Sequence, residues 1–265
     1  MDEICKEIRR MTVECIGSIG SGHIGGSMSI AELMKVLYFD KMNVDPANPK
    51  MEGRDRLVVS KGHAGPVVYA TLALKGFFPK EWLYTLNKFG TNLPSHCDMN
   101  KTPGVDMTAG SLGQGFSCSV GIALGSKIKK DGATIYTVIG DGESQEGHIW
   151  EAAMLAASRK LDNLIAFTDY NGMQLDGDVK DINSLGNLKS KWKAFGWYTQ
   201  EIDGHDCEAI AAAIDRAKAK KGQPSMIILD TVKGKGISFV EAAGFKCHSM
   251  PMNKEAVEAA LAELQ

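Results

Sequence analysis

Residues 134–173, TIYTVIGDGESQEGHIWEAAMLAASRKLDNLIAFTDYNGM, constrain the fold more than any other stretch. An apolar, β-branched run, Ile135 to Ile139, stops at Gly140-Asp141-Gly142. A helical pattern follows, with Ile149, Ala153, Leu155, Ala156 and Ala157 spaced for one apolar face. A second short run, Leu164 to Thr168, ends at Asp169-Tyr170-Asn171. Strand, helix, strand at this spacing is a βαβ unit with parallel strands. Both strand ends then leave the sheet at one edge, so Asp141 and Asn171 are expected side by side. A carboxylate and an amide oxygen on rigid strand ends suit a hard cation such as Mg2+, only partly enclosed and open to phosphate oxygens. The glycines at 140 and 142 let the backbone approach an anion, and the following helix is expected to aim its N-terminal N–H groups at the same spot. A lone Gly-Asp-Gly is a common turn, and a strand-end Asp or Asn is often a helix cap. The longer pattern, with Asn-Gly thirty positions on, shifts the balance toward a metal-bridged pyrophosphate.

The other loops carry histidines. A helix over roughly Glu3 to Ile19 breaks into Gly20-Ser21-Gly22-His23-Ile24-Gly25-Gly26-Ser27, and Ser29 is expected to cap a helix from Ile30 to Phe39. By itself that loop reads as flexible with an exposed histidine. Its glycine spacing fits neither a dinucleotide fingerprint nor a P-loop. A strand over Asp55 to Val59 ends at Ser60-Lys61-Gly62-His63, entering a helix from Pro66 to Lys75. A helix near Lys80 to Lys88 leads to Asn92-Leu93-Pro94-Ser95-His96-Cys97-Asp98. Ala109-Gly110-Ser111-Leu112-Gly113-Gln114-Gly115 opens a helix to about Ile128, whose Ser117, Ser119, Gly121 and Ala123 allow close packing on the sheet or on a subunit. Further on come a short helix (Leu188 to Phe195), a strand (Trp197 to Ile202), an amphipathic helix (Gly204 to Lys221) and a buried strand (Met226 to Val232). Then follow Lys233-Gly234-Lys235-Gly236, His248 and a last helix, Lys254 to Leu264. The expectation is one α/β domain over 1–265, an open, mostly parallel sheet of about five strands with helices on both faces.

At 265 residues, 44% apolar and a net charge of −2, the chain has length for a real core and no basic surplus for nucleic acid. No apolar run approaches the roughly 18 residues of a membrane span, and the charged start MDEICKEIRRM lacks a signal-type apolar region. Six cysteines without a C-x-x-C pair read as reduced thiols, so a cytoplasmic location is expected. The His96-Cys97 and Cys247-His248 dipeptides are too isolated to suggest zinc.

Five stretches carry a family resemblance. SGHIGGSMS resembles the SGHPG loop of transketolases, SKGHAGPVVYA their SxGH segment, and AGSLGQG their GPLGQG turn. GDGESQEG is similar to their GDG-x-x-x-EG, and TVKGKG with His248 to the segment that closes their N-terminal half. The likeness covers the whole chain but only the first of the family's three domains, so the chain resembles the N-terminal subunit of a split transketolase. The resemblance implies thiamine diphosphate held through Mg2+ on Asp141, Asn171 and the Met173 carbonyl. It implies that His63 and His248 approach the diphosphate and thiazolium. Gly110, Ser111 and Leu112 would pass the pyrimidine, and Gly142 would donate its N–H to phosphate. His23 and His96 would face the sugar and move protons near pH 7. Glu146 would face a partner domain, or simply complement the helix dipole. The activity implied is transfer of a two-carbon ketol unit from a ketose to an aldose, or between their phosphates, as in the pentose phosphate reactions. A C-terminal partner subunit would complete a 2:2 hetero-tetramer.

Ile24 and Ser111 stand where the family has Pro, and Cys97-Asp98 where it commonly has Pro-Glu, which bears on sugar specificity. Other readings remain open here: a 2-oxoacid dehydrogenase α-like or deoxyxylulose phosphate synthase-like chain, a Mg2+-dependent phosphotransferase, and a catalytically silent subunit.

Overall fold

The computed structural model describes residues 2–265. Five parallel strands form the sheet: β2 (Arg56–Val59), β3 (Ile135–Gly140), β4 (Leu164–Tyr170), β5 (Tyr198–Asp203) and β6 (Ser225–Asp230), in the order β2-β3-β4-β6-β5. Two short strands, β1 (Ser21–Gly22) and β7 (Met250–Pro251), pair antiparallel apart from it. The central strands are apolar on both faces because helices cover both. Alternation sorts their side chains. Tyr136, Val138, Ile165, Phe167, Ile227 and Leu229 join one buried cluster. Ile135, Ile139, Leu164, Ala166, Met226 and Ile228 join the other.

The first cluster is closed by α1 (Glu3–Gly17), α2 (Gly25–Met28), α3 (Ala31–Lys35), α4 (Gly65–Lys75), α9 (Cys207–Ala219) and α11 (Lys254–Glu263), with α10 (Ser238–Ala242) at its rim. The second is closed by α5 (Gln114–Lys129), α6 (Gly147–Ser158), α7 (Val179–Asn183) and α8 (Leu188–Ala194). Trp192 and Trp197, both buried, pack edge to face at 5.0 Å there. No helix is long and apolar enough to cross a membrane among the described residues.

Several expectations change. Ser29 does not cap α3: Ile30 occupies that N-cap, while Ser29 is the C-cap of α2 and its Oγ reaches Gly26 O and Asp169 Oδ2, the latter at 2.7 Å. The loop around His23 is not loose, since residues 25–28 form a buried helical turn. The helix from Ile30 ends early and continues as a π-helical turn, Val36–Lys41, and residues 80–85 form a 3-10 helix rather than an α-helix. On α6, Leu155 is exposed and Ala152 takes its place on the buried face. On α5, Ser119 and Ala123 pack inward while Gly121 is exposed.

Candidate functional site

Parallel strands end together, and the C-terminal edge of this sheet carries the polar residues. Gly140 pairs with Asp169 and Tyr170 with Asp230, so the chain leaves β3, β4 and β6 at one level. Asp141 and Asn171 are therefore neighbours: Gly172 N donates to Asp141 Oδ2 at 2.6 Å, and Gly142 N donates to Oδ1 at 2.7 Å. Asn171 Oδ1 accepts from Met173 N at 3.1 Å, and its Nδ2 donates to Asp169 Oδ2 at 3.0 Å. The Met173 carbonyl accepts from Lys233 Nζ at 3.1 Å. The helix expected directly after Gly-Asp-Gly starts later. A 3-10 turn, Gly142–Gln145, intervenes, so α6 does not aim its first turn at Asp141.

These residues line a cavity of about 340 Å3. It brings together His23, His63, His96, His248, Gly110, Leu112, Asp141, Gly142, Asn171, Met173 and Glu146, leaving out only Ser111 among the residues singled out above. Ser111 is exposed beside it. Glu146 is exposed too, and occupies the N-cap of α6 without a side-chain cap bond. A larger hollow of about 470 Å3 lies at the opposite, N-terminal edge around Lys127 and Lys218, away from these groups.

The four imidazoles form one cluster. His23 lies 5.5, 5.7 and 5.3 Å from His63, His96 and His248, and His63 lies 4.7 Å from His248, ring centre to ring centre. Burial lowers the pKa of all four. For His63 the Lys61 charge adds to it, and for His248 the Lys233 charge does, bringing His248 down to about 4. All four are thus neutral at pH 7, each offering one N–H and one lone pair.

The carboxylates differ sharply. Burial and then the Asp169 charge push Asp141 up to about 7, against the two backbone N–H groups and Lys233. Burial also acts to raise Asp169, but the Lys61 ammonium at 2.6 Å, with Thr231 and Ser29, outweighs it and holds that carboxyl below its usual range. Asp141 is thus a buried carboxylate short of positive charge, and Lys233 is already drawn onto the adjoining carbonyl. An amide oxygen, a carbonyl and a charge-deficient carboxylate make an oxygen donor set that fits a hard divalent cation. No cluster of three His, Cys, Asp or Glu side chains among the described residues offers an alternative metal site.

Three cavity-lining residues, Glu143, Lys61 and Lys233, escaped the sequence reading. Glu143 is buried and accepts from Gly113 N at 2.7 Å, from Gly140 N at 3.0 Å and from Ser60 Oγ, which in turn accepts from Phe116 N. It ties three loops into one frame. Gly113 enters α5 at φ +82°, a conformation most side chains disfavour, against the His148 ring. Lys61 and Lys233, both buried, supply the cavity's positive charge. Lysines beside the paired strand-end motifs, in SKGH and TVKGKG, were the available signal.

Comparison with known proteins identifies the family. The family profile described as transketolase, thiamine diphosphate binding domain, matches residues 1–264. The 6-deoxy-6-sulfo-D-fructose transketolase subunit SqwG of Clostridium sp. (strain MSTE9) is 58% identical over 97% of this chain and 94% of its own. An apulose-4-phosphate transketolase subunit of Phocaeicola vulgatus is 39% identical, over 95% and 89%. Among solved structures, a transketolase from Leishmania mexicana superposes with a TM-score of 0.92 at 29% identity, covering 98% of this chain and 40% of that one. The chain belongs to the transketolase family and matches its N-terminal, thiamine diphosphate-binding part.

Proposed function

We propose that this chain is the N-terminal subunit of a transketolase, holding thiamine diphosphate through Mg2+ and acting with a C-terminal subunit in a 2:2 hetero-tetramer. The carrying observation is Asp141, a buried carboxylate raised to about 7 beside Asn171 Oδ1 and the Met173 carbonyl. A divalent cation there would supply the missing charge, and Lys61, Lys233 and Gly142, which line the cavity, would face a diphosphate held through it. The bound cofactor supplies a carbanion equivalent able to cleave and form the carbon–carbon bond of a ketose.

The chain's own residues would bind, orient and move protons. Asp141, Asn171 and Met173 would hold the cation, and Gly110, Ser111 and Leu112 would border the pyrimidine. His63 and His248, nearest the lysines, would donate N–H bonds toward the diphosphate side. His23 and His96 would hydrogen-bond sugar hydroxyls. Neutral imidazoles can accept a hydroxyl proton, and an anionic ligand alongside would raise their pKa toward 7. Glu146, exposed at the cavity rim, would face the partner.

The two relatives are named for a 6-sulfonated ketose and a 4-phosphorylated one. We therefore place the donor here among ketoses with an anionic terminus, with 6-deoxy-6-sulfo-D-fructose the first to assay. A cytoplasmic location accords with such metabolites. In a two-carbon transfer assay of the two mixed subunits, omitting thiamine diphosphate should abolish turnover. Turnover indifferent to the cofactor would overturn the reading.

A further inference from the structure

A buried ionic cluster outside the cavity has no part in the chemistry above. Arg9 on α1 is fully buried and forks onto Glu32 of α3, Nη1 to Oε1 at 2.6 Å and Nη2 to Oε2 at 2.8 Å. His205, in the turn after β5, places Nδ1 3.1 Å from the same Oε2. Its Nε2 lies 2.9 Å from Val232 N, which can only donate. The tautomer follows: Nε2 accepts and Nδ1–H donates to the carboxylate. Burial works to raise the Glu32 pKa, yet the bonds from His205 and Arg9 outweigh it and hold the group at about 2. Glu32 is therefore a fixed charge.

Two of the three, Arg9 and His205, end on one segment, 231–236, and Glu32 holds both of them. Arg9 Nε donates to Lys235 O at 2.9 Å, and His205 takes Val232 N–H. Gly204 N donates to Asp230 O at 2.8 Å, and a Cβ at Gly204 would come within 2.4 Å of Thr231 Cγ2, so the turn presses directly on the strand end. Between the two anchors, at 232 and 235, sits Lys233, whose ammonium enters the cavity. We infer that Arg9, Glu32 and His205 are positioning residues that fix the 231–236 segment and, through it, the Lys233 ammonium. The inference rests on the reading that the cavity takes a diphosphate, and adds residues that never touch it.

His205 is the variant site of choice, because its side chain is 14% exposed in a surface turn and its loss spares the buried pair. Cofactor affinity is read by calorimetric titration of thiamine diphosphate with Mg2+ into the two-subunit complex. His205→Ala should weaken binding roughly fivefold, the scale of one lost hydrogen bond. His205→Gln, whose Oε1 can still accept from Val232 N–H, should stay within about twofold, whereas His205→Asn should behave like Ala. In a Lys233→Met background His205→Ala should add almost nothing, because it acts through that lysine. Equal losses in both backgrounds, or a lowered Tm with affinity unchanged, would overturn the inference and leave a purely structural role. No binding by the unsubstituted complex would instead sink the functional reading. Hydrogen exchange of the chain then decides the positioning claim separately. Protection at amides 232–235 should fall in the Ala and Asn variants and hold in Gln, and unaltered protection would refute it.

Discussion

The charge on Asp141 sets the behaviour of the site. Its native pKa of about 7 lies above its ordinary 3.8, so the native fold holds a proton that the unfolded chain releases. Without a bound cation, this group's contribution to stability is lost as pH rises from about 4 through about 7. Cation binding requires the carboxylate, so the rise in Tm on adding Mg2+ and thiamine diphosphate should be larger at pH 8 than at pH 6. Asp141→Ala should flatten that difference, and an undiminished pH dependence in the variant would place the effect elsewhere. His96 answers to a different test. It lies on its own loop, making none of the bonds that fix Asp141. His96→Ala should therefore cut kcat/KM for the sugar by about 100-fold, the lower end of the usual range for a proton-transfer group, while cofactor affinity stays within a few-fold. Cofactor binding that falls in parallel with kcat/KM would reassign it to the diphosphate. At this scale the sequence was most legible where strand ends force proximity, as for Asp141 and Asn171. It misled at Ser29, because a serine before an apolar run looks like a cap whether or not Asp169 takes its hydroxyl first.

The five sheet strands were readable because central strands buried on both faces appear as short unbroken apolar runs. The elements missed, β1 with β7, α2, α7 and α10, are two to five residues long, and the β1–β7 pair joins segments at opposite ends of the chain. Local pattern cannot report such contacts. Glu143 belongs to the same class, since its value comes from joining three loops that are far apart along the chain. Glu143→Ala would leave the buried Gly113 N–H and the half-buried Gly140 N–H without their acceptor, costing about 3 kcal/mol. Thermal melting should show a fall of roughly 5–10 °C for a chain of this size. A loss under about 1 °C would mean that water replaces the carboxylate and that the loops do not depend on it.

At the scale of the molecule, one exposed apolar side chain lines the cavity and others lie on α6. Leu175 at its edge is 60% exposed, and Met154 and Leu155 on α6 are 56% and 44% exposed. Such surface favours a protein partner. The chain by itself should show no two-carbon transfer, and native mass spectrometry of the two subunits together should give a 2:2 mass. Transfer by the purified chain with only Mg2+ and cofactor would remove the need for a second subunit. The central claim, that this chain carries the metal and diphosphate half of the site, is tested most directly by titrating thiamine diphosphate into the complex. We expect one cofactor per copy of this chain, dependent on Mg2+, with binding lost in Asp141→Ala and weakened less in Asn171→Ala. Binding of equal strength without Mg2+, or in the Asp141 variant, would contradict it.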